Sequence, residues 1–173
     1  MRLIVRQALL LSFSAAVAAA VVLAAAPAAR AFAGLDPCAL LTAADAEKIA
    51  GGPVRRIPIT DLTAHSTCKY EQDAGKPPVK VSLVVSPAKP MGKADIGWDA
   101  MKSGIPKDHS EKVAALGDEA YLVHGIDLRG KDLLSNTLFV RKGTAHFVLQ
   151  AAGYKHEPLD VLESIAKRIA GQL

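Results

Sequence analysis

Five histidines are the residues of this chain best suited to ligate a metal ion or to exchange protons near neutral pH. They are His65, His109, His124, His146 and His156. No two of them have the i, i+4 spacing with which a helix presents a zinc site. His124 and His146 both fall in predicted strands, where they could share the sheet face turned away from Phe147 and Leu149. They are weak candidates for a metal site beside the simpler interpretation of half-exposed strand residues, so the sequence predicts no metal and no cofactor.

A serine nucleophile is the second chemistry to consider. The Ser-x-x-Lys pattern of penicillin-binding enzymes occurs three times, at Ser66, Ser86 and Ser164, and three matches in one short chain show how weak the pattern is. That enzyme class also needs Lys-Thr-Gly, and residues 142–144 read Lys-Gly-Thr instead. There is no Gly-x-Ser-x-Gly elbow. We therefore predict no catalytic residue.

Two further groups have a chemical interpretation and a structural one. Trp98 could stack on a sugar ring, but its helical register with Met101 and Ile105 favours packing in the core. Asp118 and Glu119 could bind a cation, but they follow a glycine in a turn and lack the oxygen ligands of a calcium loop. The structural interpretation is preferred for both groups.

The first 33 residues have the composition of a secretory signal peptide. Arg2 and Arg6 form a positively charged start, and Ala8 to Ala29 is an uncharged run of about 22 residues. Ala31 and Ala33 are small residues at the positions that signal peptidase requires, so we predict cleavage after Ala33. Residues 34–173 would then form the exported protein, in the periplasm or outside the cell.

Retention of that run as an N-terminal anchor is the alternative, because its length would allow it to span a bilayer. Pro27 and the small residues around the cleavage site favour removal, so no stable membrane anchor is expected after cleavage. Loss of three arginines lowers the basic residues from 21 to 18 against 17 acidic ones, and the net charge from +4 to about +1. A nearly neutral surface argues against nucleic acid as a partner.

Cys38 and Cys68 are the only cysteines, and both lie in the exported part. In an oxidising compartment such a pair is most simply one disulfide, closing a span of 30 residues. A redox or metal site is the alternative, but a redox pair usually has the spacing Cys-x-x-Cys, and zinc needs four ligands.

Local signals predict helices and strands in alternating groups. Caps at Asp36 and Thr42 begin helical turns that Gly51 ends, a periodic apolar stripe containing Trp98 predicts a second helix, and Pro158 opens the last one. Strands are predicted at residues 54–59, 67–71, 80–86, 137–141 and 144–151. One more strand is predicted to follow the 116–121 turn and to run through His124. A long polar connection is predicted at residues 128–135. The order α-βββ-α-βββ-α predicts a single α+β domain with a curved antiparallel sheet of about six strands and helices packed on one face.

Three motifs resemble a family of small exported or lipid-anchored bacterial envelope domains, best known from actinobacterial lipoproteins and mostly of unknown function. The motifs are Asp-Pro-Cys-Ala-Leu-Leu-Thr at 36–42, Cys-Lys-Tyr at 68–70 and Leu-Gly-Asp-Glu-Ala-Tyr at 116–121. The chain is more distantly similar to extracellular sensor domains of some membrane kinases. The resemblance implies a Cys38–Cys68 pair and supplies no catalytic residues. The lipobox cysteine of the lipoprotein members is missing, so membrane attachment does not carry over.

These features lead us to expect a non-catalytic exported envelope domain that binds a small ligand or an envelope protein. Its site would lie in the cleft between sheet and helices or in the 128–135 connection. One alternative is a small periplasmic hydrolase or metal-dependent enzyme with residues from separate loops, for which perturbed titration of His124 and His146 would be the sign. Another is a subunit that dimerises through an exposed strand edge.

Overall fold

The computed structural model describes residues 36–59, 66–73, 78–87, 96–124, 134–154 and 158–173. The predicted signal peptide and its cleavage site after Ala33 lie outside these residues. Among the described residues, no helix is both long enough and apolar enough to cross a membrane.

Four α-helices, one 3-10 turn and seven strands make up the described part of the chain. In chain order they are α1 (Pro37–Leu40), α2 (Ala43–Ala50), β1 (Val54–Arg56), β2 (Ser66–Gln72), β3 (Lys80–Pro87), α3 (Ile96–Ser103), the 3-10 turn (Lys107–His109), β4 (Ser110–Lys112), β5 (Glu119–Val123), β6 (Leu134–Lys142), β7 (Ala145–Tyr154) and α4 (Leu159–Ala170).

The first two helices begin where their caps predict. The Asp36 side chain accepts a 2.9 Å hydrogen bond from the Cys38 amide at the start of α1. Thr42 and Asp45 form a capping box at the start of α2, because the Thr42 hydroxyl accepts from the Asp45 amide and the Asp45 carboxylate accepts from the Thr42 amide. Gly51 ends α2 with a φ of 71°, a left-handed conformation that glycine adopts without steric cost.

All strands pair antiparallel in the order β1-β2-β3-β7-β6-β5-β4. Two meanders, β1–β3 and β4–β7, therefore meet at the centre of the sheet, where β3 pairs with β7. The predicted α+β class is confirmed. The sheet has seven described strands instead of about six, because Ser110–Lys112 forms an edge strand too short and too polar to show an alternating pattern. The predicted 128–135 connection is wrong at its end, since Leu134 and Ser135 already belong to β6.

One face of the sheet, the core face, carries the main hydrophobic core. Val81 and Leu83 of β3 and Phe147 and Leu149 of β7 lie on this face and are completely buried. Helices α1, α2 and α4 cover it, and α4 contributes an apolar stripe, Leu162, Ile165, Ala166 and Ile169. The predicted disulfide is present: Cys38 of α1 is bonded to Cys68 of β2, with their Cα atoms 5.1 Å apart.

Helix α3 lies on the opposite side, which we name the outer face. Trp98 of α3 is only 2% exposed, and its ring centroid is 6.4 Å from that of Tyr121 and 6.3 Å from that of His146. Tyr121 alternates with the core-face residues Ala120 and Leu122 and therefore points to the outer face. The prediction that all helices pack on one face is wrong for α3, because its buried tryptophan packs against Tyr121 and His146 on the outer face.

Candidate functional site

Glu119, at the start of β5, is the point where α3 is fastened to the outer face. The indole Nε1 of Trp98 donates to its Oε2 at 2.8 Å. The Tyr121 hydroxyl and the Lys102 ammonium donate to its Oε1 at 2.8 and 2.5 Å. Arg141 of β6 brings a guanidinium nitrogen within 3.6 Å of Oε2. Two residues of α3 and two of the sheet thus converge on one carboxylate.

These donors decide what the carboxylate can do. The hydrogen bond from Lys102, followed by those from Tyr121 and Trp98, outweighs partial burial and lowers the pKa of Glu119 to about 2. The same contact raises the pKa of Lys102. A carboxylate held so firmly in its charged form is a poor general acid or base near neutral pH. The arrangement therefore acts as a structural latch for α3.

The preceding residues, Gly117 and Asp118, fasten the β6–β7 hairpin. Asp118 Oδ2 accepts a 2.6 Å hydrogen bond from the Gly143 amide, which is the main reason that the pKa of Asp118 is lowered. Gly117 has a φ of 65°, and a Cβ at this position would collide with the Arg141 carbonyl oxygen. The carboxylates of Asp118 and Glu119 therefore both accept hydrogen bonds from donors of this chain. Asp118 lies in the predicted turn, whereas Glu119 already begins β5.

His124 and His146 are not brought together. His146 lies in β7 on the outer face beneath Trp98, in register with Arg141 and, through it, with Glu119. His124 directly follows β5, five residues beyond Glu119, which places it about 16 Å further along the strand direction. Within the described ranges, no group of three His, Cys, Asp or Glu residues is close enough to hold a metal ion.

The Ser-x-x-Lys patterns form no catalytic pair in the described residues. Ser66 and Lys69 both belong to β2. Ser164 and Lys167 are both exposed on α4. Lys89, the partner of Ser86 in the third match, lies outside the described residues.

The outer face carries an open cleft over β2, β3 and β7, away from the latch. Its volume is about 300 Å³. Its lining residues are Ile57, Lys69, Tyr70, Glu71, Lys80, Val81, Ser82, Gln150 and Ala152. Lys69, Ser82 and Gln150 face one another in register on three neighbouring strands, so they form a polar row about 10 Å wide across the cleft. We name this site the outer-face cleft.

A second depression of about 530 Å³ adjoins the outer-face cleft and shares Ile57 with it. Its other lining residues are Arg56, Pro58, Ile59 and Thr67. Ile59 is 39% exposed and is the large hydrophobic residue that stands out as exposed in the described part of the chain. The polar row therefore continues into an apolar ledge, which we define as Ile57, Pro58 and Ile59.

Among the described residues, some charged side chains around the outer-face cleft form ion pairs and others do not. The Arg55 guanidinium lies 3.6 Å from the Glu71 carboxylate and 3.7 Å from that of Asp73. Lys69 and Lys80 are exposed, and neither forms an ion pair with a residue that the structure describes. Across the floor, Gln150 Nε2 donates to the hydroxyls of Ser135 and Thr137, at 3.4 and 3.3 Å, so its amide is held in place.

This cleft does not lie between the sheet and the helices of the core face, the first expected place, and residues 128–133 of the second lie outside the described residues. The space between the core face and α1, α2 and α4 is filled by apolar side chains, whereas the open cleft lies on the outer face. The sequence does show that Lys80 and Ser82 alternate with the buried residues of β3 and share a face. It does not show that Gln150 lies beside them, because that depends on the pairing of β3 with β7.

A scan of known protein families finds none that matches this chain, and a search of curated proteins finds no similar sequence. The geometry nevertheless explains the motifs on which the resemblance rests. The 36–42 motif supplies the cap of α1, the disulfide cysteine and the capping threonine of α2. In the 116–121 motif, Asp118 accepts the hydrogen bond from the β6–β7 hairpin and Glu119 holds α3. The next two residues of the motif, Ala120 and Tyr121, face opposite sides of the sheet.

Proposed function

We propose that this protein is a non-catalytic exported domain of the bacterial envelope that binds a small ligand in the outer-face cleft. The composition of residues 1–33, the Cys38–Cys68 disulfide and the resemblance to exported envelope domains all support export. The observation that carries the binding role is the cleft itself: polar side chains and an apolar ledge converge on a part of the sheet that α3 leaves open.

The position of the cleft suits ligand binding. All its lining residues except Ile57 stand on β2, β3 and β7, which are interior strands of the sheet, so their backbone is fixed by hydrogen bonds on both sides. Sites on such strands hold side chains more accurately than sites on loops. The buried core beneath them keeps the floor rigid, so the cleft exists before the ligand arrives.

The edges of the sheet are less suited to a partner. The edge strands β1 and β4 are three residues long, and each carries charged side chains, Arg55 and Arg56 in one and Glu111 and Lys112 in the other. Short, charged edge strands oppose pairing with another strand. This favours a small ligand over dimerisation through a strand edge.

Native mass spectrometry of the protein recovered from the exported fraction is the first experiment. We expect a mass that corresponds to cleavage after Ala33 and to the loss of two hydrogens for the disulfide. A co-purifying adduct would identify the ligand directly. An uncleaved chain in the membrane fraction would contradict cleavage after Ala33 and favour the N-terminal anchor.

The binding site itself is tested by NMR titration of the same ¹⁵N-labelled protein with a panel of anionic, neutral and cationic fragments. We expect saturable shifts at Lys69, Ser82 and Gln150 with at least one fragment, while Glu111 on β4 serves as the distant control. If no fragment moves the cleft signals, or if the shifts map to another surface, the proposed function is wrong.

A further inference from the structure

We propose that the ligand of the outer-face cleft is an organic anion with an apolar chain, such as a medium-chain carboxylate. This inference rests on the proposed function and adds the chemical class of the ligand. Three features of the cleft carry it: two exposed lysines that form no ion pair with a described residue, a serine hydroxyl beside them and a neighbouring apolar ledge.

The anionic group would bind at the lysine pair. Lys69 is directly opposite Ser82 in the β2–β3 ladder, and Lys80 lies two residues from Ser82 on the same face of β3. Diagonal neighbours of this kind have Cα atoms about 7–8 Å apart, so two long ammonium side chains can reach one anionic group above Ser82. The hydroxyl of Ser82 can donate a hydrogen bond to the same group.

The surrounding charges leave this cationic character in place. Glu71 lines the cleft opposite Lys80, but its carboxylate has Arg55 at 3.6 Å, and Arg55 also approaches Asp73. Lys69, Lys80 and Arg55 are thus three basic residues beside two acidic ones, Glu71 and Asp73, and an anion is the complement of that excess.

The apolar chain would lie on the ledge. Ile57 lines both depressions, and Pro58 and the exposed Ile59 continue from it away from the lysines. Burying an alkyl chain against Ile57 and Ile59 removes apolar surface from water at both partners. A polar anion such as inorganic phosphate would use only half of this site.

The test compares octanoate, octanamide, octylammonium and inorganic phosphate by NMR titration of the exported protein. We expect octanoate to bind about tenfold more tightly than octanamide, because charge-assisted hydrogen bonds exceed neutral ones. Octylammonium and phosphate should bind more weakly still. Octanoate binding should also weaken as salt is added.

Variants separate the two halves of the ligand. The Lys69→Gln/Lys80→Gln double variant should lose about tenfold in octanoate affinity and keep its affinity for octanamide. Ile59→Ser should weaken both probes. Lys112→Gln, an exposed lysine on β4 at the far edge of the sheet, is the matched control and should change neither.

The outcomes distinguish the two proposals. If octanamide or octylammonium binds as tightly as octanoate at the cleft, the anionic class is wrong and the cleft remains a ligand site. If none of these probes or of the wider fragment panel moves the signals of Lys69, Ser82 or Gln150, both proposals fail. Binding to phosphatidylglycerol vesicles without binding of free octanoate would assign the charge to a membrane surface and overturn the small-molecule ligand.

Discussion

Trp98 and Glu119, which are 21 residues apart in the chain, are joined by a hydrogen bond of 2.8 Å from the indole Nε1 to the carboxylate Oε2. This bond is the centre of the contact that keeps α3 on the outer face. The same carboxylate also accepts from Lys102 of α3, so the helix is held at two positions one turn apart. The position of α3 on the outer face, and therefore the part of that face it leaves open, depends on the ionised carboxylate of Glu119.

Acid should weaken this latch. The pKa of Glu119 is lowered from 4.5 to about 2, so its stabilisation is complete above pH 4.5 and is lost as the pH falls from 4.5 towards 2. The contribution is at most about 3 kcal/mol. We expect Glu119→Gln to be less stable than the wild type in urea unfolding at pH 6 and the difference to shrink by pH 2.5. Glu111→Gln, at an exposed position of β4, should show no such convergence.

Gly117 and Gly143 offer a matched pair of substitutions. Both have positive φ, at 65° and 57°, so substitution by alanine introduces a similar backbone strain of about 1 kcal/mol at each position. A Cβ at Gly143 meets nothing within 4 Å, whereas one at Gly117 would collide with the Arg141 backbone and lie 2.9 Å from Val140 Cγ1. Gly117→Ala should therefore lower the free energy of unfolding by about 2 kcal/mol more than Gly143→Ala. Equal losses would show that the hairpin can move aside.

Reduction of the disulfide should cost stability without changing the fold. Cys38–Cys68 closes a separation of 30 residues, for which the chain-entropy account gives about 3.5 kcal/mol. We expect the melting temperature to fall clearly when the protein is reduced. The Cys38→Ala/Cys68→Ala double variant should melt like the reduced wild type and be insensitive to reductant. Equal melting temperatures for oxidised and reduced protein would contradict a stabilising disulfide.

Asn136 is the residue whose replacement should raise stability. It lies on the core face of β6, is completely buried, and neither atom of its side-chain amide has a hydrogen-bond partner among the described residues. Asn136→Val removes that unsatisfied amide and suits a strand, so the free energy of unfolding should rise by about 1 kcal/mol. Ser135→Ala provides the contrast, because the Ser135 hydroxyl accepts from Gln150 and its loss should lower stability by about 0.5 kcal/mol. A less stable Asn136→Val would reveal a role for the amide.

Features encoded by neighbouring residues were predictable from the sequence. The caps at Asp36 and Thr42 depend on residues two and three positions away, and the apolar stripe of α4 repeats within one helix. The disulfide followed from having two cysteines and a signal-like N-terminus. These contacts are local or nearly forced, so one chain is enough to predict them.

The packing of α3 on the outer face was not predicted, although the residues of the strands contain a signal for it. Tyr121, Phe139 and Val148 point to the outer face and are apolar or aromatic, although a sheet covered on one side would carry polar residues there. Three such residues on adjacent strands indicate a second cover. The outer-face cleft was missed for a related reason, since Ser82 and Gln150 become neighbours only through strands far apart in the chain.

The β3–β7 ladder is the one strand pairing between the two meanders in the described sheet, while the disulfide joins residues that both belong to the first half of the chain. Apart from the polypeptide backbone that runs from β3 to α3, the halves are held across this seam by non-covalent contacts. Besides the ladder, Arg168 in α4 donates to the Leu40 carbonyl and to Asp45 at 3.0 and 2.7 Å. The outer-face cleft straddles the seam, with Lys69 and Ser82 on one side and Gln150 on the other. A chain cut between the meanders would thus yield two complementary fragments, and the cleft would exist only while they remain associated.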